Sequence, residues 1–346
     1  MCFEKKEGGL RATFFIAKIC PILFLMVQQC TVAAQEATLN IMFYNVENLF
    51  DTLDNPLTAD EEFTPSSELA YNSERYQEKL TNLSRVVKSA FDNDLPDILG
   101  LCEVENRAVV VHLATQVAPK TFGVFHIESP DERGIDNAIL YDRSRLSILD
   151  SGLIPIDLGE DERPTRGVLW AKFIVANSHF EFYVFVNHWP SRYGGEEESN
   201  WKRMMASEAL SKHLFELNKT TPNAAFMVMG DFNDHPSNES MLALSNCDKG
   251  PCLVNLCAAF EDTEAGSYVY KGEWGVLDQM LVSKNLLANS LEYSTSQDLV
   301  GFVKKDWMLY ESSSDQKFFP SRTYGGTKYF GGYSDHLPVI LVLKHK

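Results

Sequence analysis

Met229-Gly230-Asp231-Phe232-Asn233 places two polar side chains directly after the apolar run 224–229, and Ser334-Asp335-His336-Leu337-Pro338 places three directly before the apolar run 337–343. Each apolar run has the length and composition of a buried strand. Charged groups at the rim of a hydrophobic core are costly to desolvate, and a metal ion or a catalytic network usually compensates for that cost. The two strand ends therefore predict one shared site, although they lie about a hundred residues apart.

Further apolar runs also begin or end at polar residues. Asn45 follows the run 39–44, Glu103 follows 98–102, His188 follows 180–186, and Asp278 lies in the run 277–282. Each residue alone has an ordinary explanation as a turn former, a solvated strand end or a core histidine. Together they favour a site made of carboxylates, amide oxygens and imidazoles, without thiols. Such donors suit Mg²⁺, Mn²⁺ or Ca²⁺ better than a closed zinc site.

The hydrophobic pattern predicts alternating strands and helices along most of the chain. Strands are expected at Leu39–Tyr44, Ile98–Cys102, Asn137–Tyr141, Leu169–Val175, Phe180–Val186, Phe226–Met229, Leu277–Val282 and Leu337–Leu343, and helices at Ser73–Phe91, Asn200–Leu217 and Ser237–Leu244. This mixture indicates mixed sheets covered by helices in a single domain from about 36 to 346. Segments 51–72 and 296–332 are expected to be long loops near the site.

The first 34 residues have the pattern of a secretory signal peptide. Basic residues precede the apolar stretch Ile19 to Val27, and small residues near Ala34 offer a cleavage position. A lipoprotein anchored at Cys30 is the alternative, although Val27-Gln28-Gln29 is a poor lipobox. We expect residues 1–34 to be removed and the mature protein to be exported to the periplasm or the extracellular space, without stable membrane insertion.

Charge and cysteine content narrow the function classes. The chain has 31 Lys and Arg against 48 Asp and Glu, a formal net charge of −17. This excess disfavours tight, non-specific duplex binding, because such binding needs basic residues opposite the phosphates.

Cys247 and Cys252, separated by Asp-Lys-Gly-Pro, are candidates for a disulfide in an exported protein, and Cys102 is expected to be an inert buried thiol.

The motifs together resemble the endonuclease/exonuclease/phosphatase superfamily. The resemblance rests on Gly-Asp-Phe-Asn at 230–233 and Ser-Asp-His-Leu-Pro at 334–338, and it extends from Asn45 to His336 in the family's order. The runs 43–51 and 187–192 are similar to a subgroup of exported bacterial members. The resemblance implies an α/β fold, a four-layer α/β sandwich in which two mixed β-sheets lie face to face and are flanked by helices.

The resemblance also implies a role for each site residue. Metal binding would fall to Asn45, Glu103 and Asp335, with Mg²⁺ expected and Mn²⁺ or Ca²⁺ possible. Asp231 would orient or deprotonate the attacking water, and Asn233 would bind a phosphate oxygen or metal. His336, oriented by Asp278, would contact the scissile phosphate, and His188 would lie near the leaving oxygen. Arg166 and Arg192 are further candidates for phosphate binding.

The leading hypothesis is an exported, divalent-metal-dependent endonuclease that cleaves nucleic-acid phosphodiesters, with DNA as the expected substrate and a monomer as the expected state. One alternative keeps the chemistry but changes the substrate: a phosphatase or a sphingomyelinase-type phospholipase C acting on inositol phosphates or lipid. A second alternative is a binding module without activity on the same fold. The presence of all the expected site residues argues against the binding module.

Overall fold

The structure is a computed structural model that describes residues 8, 38–92, 94–246, 251–313 and 316–346. Its larger compact unit is Thr38–Lys346. The strands of this unit are β1 (Thr38–Leu49), β2 (Ile98–Val104), β3 (Phe122–His126), β4 (Asp136–Asp142), β5 (Leu146–Ile154), β6 (Val168–Val175), β7 (Glu181–His188), β8 (Ala225–Asp231), β9 (Leu253–Asn255), β10 (Tyr268–Tyr270), β11 (Glu273–Gly275), β12 (Asp278–Ser283), β13 (Tyr293–Ser294), β14 (Val300–Phe302), β15 (Leu309–Glu311), β16 (Phe318–Pro320), β17 (Tyr324–Gly325), β18 (Lys328–Tyr329) and β19 (Val339–His345). The α-helices are α1 (Ser73–Lys88), α2 (Arg107–Val117), α3 (Glu196–Thr220), α4 (Glu239–Leu244) and α5 (Lys284–Leu287).

Two large sheets contain most of these strands. The first has seven strands in the order β13-β19-β1-β2-β4-β3, with β14 also paired to β19, and the second has six in the order β5-β6-β7-β8-β12-β9. Each sheet contains one parallel pair, β1 with β2 and β7 with β8, and the other neighbours are antiparallel. Helix α1 connects the first parallel pair and α3 connects the second, as crossover connections require. The carboxyl ends of each parallel pair therefore lie at the same edge of its sheet.

The strands are hydrophobic on both faces because both sheets are covered on both sides. In β1, Ile41 and Phe43 join the core between the two sheets, whereas Met42 and Tyr44 join a second core that includes residues of α1 and α2. A third core packs the outer face of the second sheet against α3 and α4, and it includes Phe185 of β7 and Leu210 of α3. The layers are thus helix, sheet, sheet and helix, which confirms the predicted fold class.

The predicted elements are present, with changes at their ends. All eight predicted strands and all three predicted helices form, but α1 stops at Lys88 and α3 begins four residues earlier than predicted, at Glu196. The sequence pattern missed α2 and the short hairpins β15/β16 and β17/β18, which lie within the segment predicted as a loop over 296–332. Two- and three-residue strands are too short to produce a recognisable alternation.

Among the described residues, none of the helices combines the length and apolar character needed to cross a membrane. The expected signal peptide and Cys30 lie in a part of the chain that the structure does not describe. Cys252 is disulfide-bonded, while Cys247 lies outside the described residues. Cys102 is a buried free thiol, and burial raises its pKa well above the ordinary value, consistent with an inert role.

Candidate active site

The site lies where the parallel strand pairs of the two sheets end. Asn45 is on β1, Glu103 on β2, His188 on β7 and Asp231 on β8. Asp278 begins β12 and is paired in register with Asp231. The run 334–336 leads into β19, which is antiparallel to β1. The sheet topology therefore gathers side chains that are as much as 291 positions apart in the sequence.

The backbone is irregular at these strand ends. The register between β1 and β2 shifts after Asn45, and the register between β2 and β4 shifts between Cys102 and Val104, which leaves Glu103 in a β-bulge. Glu103 has φ 61° and Asn233 has φ 52°, values in the left-handed region that non-glycine residues rarely adopt. Bulges and strained residues of this kind are common at functional sites, where they direct a side chain out of the regular pleat.

His336 forms the strongest polar contact of the site. Its Nδ1 lies 2.6 Å from Asp278 Oδ2, and its Nε2 lies 3.8 Å from Asp231 Oδ2. Burial opposes the charged imidazole, but the carboxylates of Asp278 and Asp231 outweigh it and raise the pKa of His336 well above its ordinary value. His336 is therefore an imidazolium whose Nε2–H remains available for a ligand, while the ring of Tyr268 packs on it at 4.9 Å between ring centroids.

Asp231 is surrounded by donors that stabilise its charged form. Asn45 Nδ2 donates to Oδ2 at 3.0 Å, and the backbone N–H of Asn233 donates to Oδ1 at 2.9 Å. Burial, followed in effect by the positive charge of His336 and the repulsion of Asp278, brings the pKa of Asp231 to about 6. A carboxylate with this pKa is mostly ionised at neutral pH and is basic enough to accept a proton from water.

His188 is buried and lacks a strong partner. Its Nε2 is 3.7 Å from Glu103 Oε1 and 4.0 Å from Asp231 Oδ2, and its Nδ1 has no hydrogen-bond partner among the described residues. Burial lowers the pKa of His188 well below its ordinary value, and the positive charges of Arg166 and Arg133 lower it further. His188 is therefore neutral near pH 7, in contrast to His336.

Two of the residues predicted to bind a metal, Asn45 and Glu103, contact each other directly. Asn45 Nδ2 donates to Glu103 Oε1 at 3.0 Å, and the backbone N–H of Asn48 donates to Glu103 Oε2 at 3.0 Å. Burial and the negative charges of Glu47 and Glu103 raise the pKa of Asp335 to about 7. A divalent cation would stabilise the ionised form of Asp335 in this group of carboxylates.

The donor set fits a hard divalent ion. Glu103 and Asp335 would hold it with carboxylate oxygens, and Asn45 would contribute its amide oxygen if the amide were turned, since Oδ1 now accepts from the backbone N–H of Glu47. Asp231, Asp278 and His336 also place ligand atoms within 4.8 Å of one another. We interpret that group as an acid–base network, because the short contact between Asp278 and His336 already occupies one atom of each.

The structure brings together all eight residues predicted for the site, directly or through one another. Asn233 also donates from Nδ2 to Trp189 O at 3.0 Å, so its side chain connects the ends of β7 and β8. The two arginines proposed for phosphate binding have carboxylate partners. Arg192 binds Glu196 at 2.7 Å and also donates from Nε to the carbonyl oxygen of Asn233 at 2.7 Å, and buried Arg166 binds Asp131 at 2.9 Å. Both have structural partners that the sequence pattern gave no means of anticipating.

Three further residues adjoin the metal-binding side, and the sequence analysis did not single out two of them, Arg322 and Lys79. Arg322 Nη2 lies 2.7 Å from Asp335 Oδ2, and Arg322 Nε lies 3.4 Å from Glu47 Oε1. The buried Lys79 Nζ lies 3.6 Å from Glu47 Oε2. The only sequence signal for Glu47 was its position two residues after Asn45, and Arg322 and Lys79 gave none, because their partners are more than 10 residues away in the sequence.

Comparisons with known proteins bear on the family and the fold of the chain. The model of the Endonuclease/Exonuclease/phosphatase family matches residues 40–345. A comparison with curated protein sequences gives no significant match. The solved structures similar to this chain include an endonuclease/exonuclease/phosphatase family protein from Bacteroides thetaiotaomicron, with a TM-score of 0.57, 16% identity, and coverage of 89% of this chain and 98% of the other.

Two further structures carry more specific names. The mannosyl-6-phosphatase of Bacteroides thetaiotaomicron VPI-5482 has a TM-score of 0.57 and 16% identity, covering 88% of this chain and 99% of the other. D. rerio TDP2, complexed with single strand DNA product, has a TM-score of 0.55 and 14% identity, covering 89% and 100%. At these identities the structures show the fold alone. The family model spans nearly all of the described chain, and the protein therefore belongs to the endonuclease/exonuclease/phosphatase family of phosphoester hydrolases.

Proposed function

We propose that this protein is a divalent-metal-dependent phosphodiesterase and that nucleic acid is its substrate. The observation that carries the proposal is the position of the His336 ring, with Nδ1 2.6 Å from Asp278 and Nε2 3.8 Å from Asp231, in the same site as the oxygen donors Glu103 and Asp335. A cation, a protonated histidine and a basic carboxylate in one buried cluster match the needs of phosphoester hydrolysis. The metal, which we expect to be Mg²⁺, would supply positive charge that stabilises the transition state.

The chain's own residues divide the remaining work. Asp231 orients the attacking water and accepts its proton, while the N–H groups of Asn45 and Asn233 keep this carboxylate ionised. His336 donates from Nε2 to a phosphate oxygen, which gains negative charge in the transition state. His188, neutral and buried, positions the leaving oxygen by hydrogen bonding. Asp278 contacts only His336 in this scheme and acts by holding its charge and orientation.

A second substrate class is favoured by a specific observation. A cleft of about 1020 Å³ is lined partly by residues close in sequence to the site, including His235 and Val276. Its charged lining consists of Glu261, Asp262, Glu264, Glu273, Asp306, Lys304 and Lys317. Carboxylates predominate there, so the cleft suits a phosphoester whose non-reacting part is neutral or cationic, such as a sugar or a choline-type head group. It disfavours a long polyanionic strand.

A substrate panel tests the proposal. Purified residues 35–346 would be incubated with Mg²⁺ and single-stranded DNA, supercoiled DNA, bis-p-nitrophenyl phosphate, a sugar phosphate and sphingomyelin. EDTA and His336→Ala are the negative controls, and His126→Ala is a matched control because His126 belongs to another buried His–Asp pair, 2.9 Å from Asp136. Cleavage of DNA that His126→Ala retains and both negative controls lose would support the nuclease. Turnover of only the sugar phosphate or the lipid would favour the second substrate class, phosphoesters with a neutral or cationic non-reacting part.

We also propose that the protein is exported after removal of residues 1–34, on the basis of the signal-peptide pattern. Mass spectrometry of the protein secreted by an expressing bacterium is expected to find an N-terminus at residue 35. An intact Met1 on protein that remains in the cytoplasm would contradict export. A lipid-modified N-terminus at Cys30 would instead support the lipoprotein alternative.

A further inference from the structure

Arg322 holds two carboxylates at the mouth of the candidate metal site. Its Nη2 contacts Asp335 at 2.7 Å and its Nε contacts Glu47 at 3.4 Å. The third nitrogen, Nη1, makes no hydrogen bond with any residue that the structure describes. The side chain is 42% exposed, whereas those of Asp335 and Glu47 are 22% and 8% exposed. The guanidinium is therefore the solvent-accessible member of this ion-pair group.

The backbone that carries Arg322 is fixed independently of its side chain. The N–H of Thr323 donates to Glu47 Oε2 at 2.7 Å, and Thr323 Oγ1 accepts from Lys79 Nζ at 2.6 Å. A Cβ at Gly332 would lie 2.3 Å from the carbonyl oxygen of Arg322, so these two backbone segments are in close contact. A fixed backbone that carries an exposed guanidinium is suited to ligand binding. A stabilising role explains Arg322 less well, because a half-exposed ion pair adds little to stability.

Asp335 would serve two cations. It is a proposed ligand of the divalent ion and also the closest partner of Arg322. When one carboxylate faces two positive charges, each charge weakens the hold of the carboxylate on the other. A guanidinium released in part from Asp335 offers a planar set of N–H donors that matches phosphate.

We propose that Arg322 is the phosphate-binding residue of this site and that it competes with the divalent ion for Asp335. The proposal rests on the proposed phosphoester chemistry. It predicts effects of opposite sign when the guanidinium is removed: the divalent ion should bind more tightly, because a competing positive charge is gone, and phosphate should bind more weakly. A residue that only stabilised the 318–333 segment would weaken both when removed.

Isothermal titration calorimetry on Arg322→Gln tests both signs without turnover. Titration with Mg²⁺ alone is expected to show affinity several-fold higher than in the unmodified protein, about the effect of a half-exposed ion pair. Titration with inorganic phosphate at saturating Mg²⁺ is expected to show affinity lower by about 10- to 100-fold, since a charge-assisted hydrogen bond is lost. Arg322→Lys, which keeps the charge but not the planar donors, should leave Mg²⁺ affinity nearly unchanged and still weaken phosphate.

Arg85→Gln is the matched control. Arg85 donates to Tyr333 Oη at 2.9 Å, so it also holds the 318–333 segment, but neither Glu47 nor Asp335 is among its partners in the described structure. It should change neither affinity by more than about twofold. Equal or weaker Mg²⁺ binding in Arg322→Gln, or unchanged phosphate binding, would overturn the proposal. Because Mg²⁺ binding is measured without substrate, this outcome is separable from a failure of the proposed hydrolase activity.

Discussion

Replacing Asp278 by Asn isolates the charge that keeps His336 protonated. The substitution is isosteric, and the amide oxygen can still accept from Nδ1–H, so the ring orientation is retained while the negative charge is lost. Asp278 Oδ1 is buried without a hydrogen-bond partner among the described residues, so an amide group there would break no existing bond. An opposite charge at this range shifts a pKa by about 1–3 units. The pKa of His336 is thus expected to fall by that amount.

The pH dependence of the rate converts this shift into a measurement. In the proposed scheme the protonated form of His336 is the working form, so activity is expected below the pKa of His336 and is expected to be lost as the pH rises through that pKa. In Asp278→Asn the alkaline limb of the kcat/KM profile should move down by about 1–3 pH units, and above the new pKa each unit costs about tenfold in rate. Hydrolysis of bis-p-nitrophenyl phosphate, followed from about pH 5 to about pH 10, measures the profile.

Asp136→Asn is the control for this experiment, since it removes the carboxylate of a comparable buried pair, His126 with Asp136 at 2.9 Å, which the catalytic scheme does not use. The alkaline limb should remain in place in this variant. An Asp278→Asn enzyme with an unshifted alkaline limb would refute the assignment of His336 as the catalytic imidazolium, whatever the loss of absolute rate. NMR titration of the His336 ring would then report its protonation directly.

Three other substitutions test separate parts of the site and fold. Glu103→Gln should weaken Mg²⁺ binding at least about tenfold by calorimetry, because an anionic ligand becomes neutral, and unaltered affinity would remove Glu103 from the metal site. Asp231 must lose its proton to act as a base, so the unmodified enzyme should lose activity as the pH falls through about 6, and Asp231→Asn should abolish most turnover without that acid limb. Gly230→Ala should lower the free energy of unfolding by about 1–3 kcal/mol, because its Cβ would lie 2.4 Å from the carbonyl oxygen of Asn187. Gly301→Ala, whose Cβ meets nothing within 4 Å, should change thermal stability little, and equal losses in the two variants would contradict the steric explanation.

The sequence was sufficient to predict the strands that appear as continuous apolar runs. The apolar run before Asp231 and the one after His336 are continuous because each strand is covered on both faces, and this pattern is visible without a structure. A shared site for these two strand ends could also be predicted, because charged groups at the rim of a hydrophobic core are costly to desolvate and usually take part in a common network. The bulge that contains Glu103 could not be predicted from the sequence. Glu103 has a φ of 61°, and glutamate rarely adopts this left-handed conformation.

Charge interactions between residues far apart in the chain also could not be predicted from the sequence. His188 and His336 look equivalent as histidines beside strands, yet burial next to Arg166 keeps one neutral and two carboxylates keep the other charged. The contact of Arg322 with Glu47 joins residues 275 positions apart. No local pattern encodes such a pair, because its formation depends on how the 318–333 segment returns to β1.

The division of the site between the two sheets has a consequence for its chemistry. Glu103 belongs to the first sheet and the run 334–336 leads into it, whereas Asp231 and Asp278 belong to the second sheet. The distance from the proposed base to the proposed metal ligands is therefore set by the core between the sheets, where a Cβ at Gly100 would lie 2.7 Å from Met229 Cε. Metal affinity depends on one sheet, while the alignment of water with the phosphate depends on both. Packing changes between the sheets should consequently act on the catalytic step before they act on metal binding, because a displacement on the order of 1 Å is enough to misalign reacting groups.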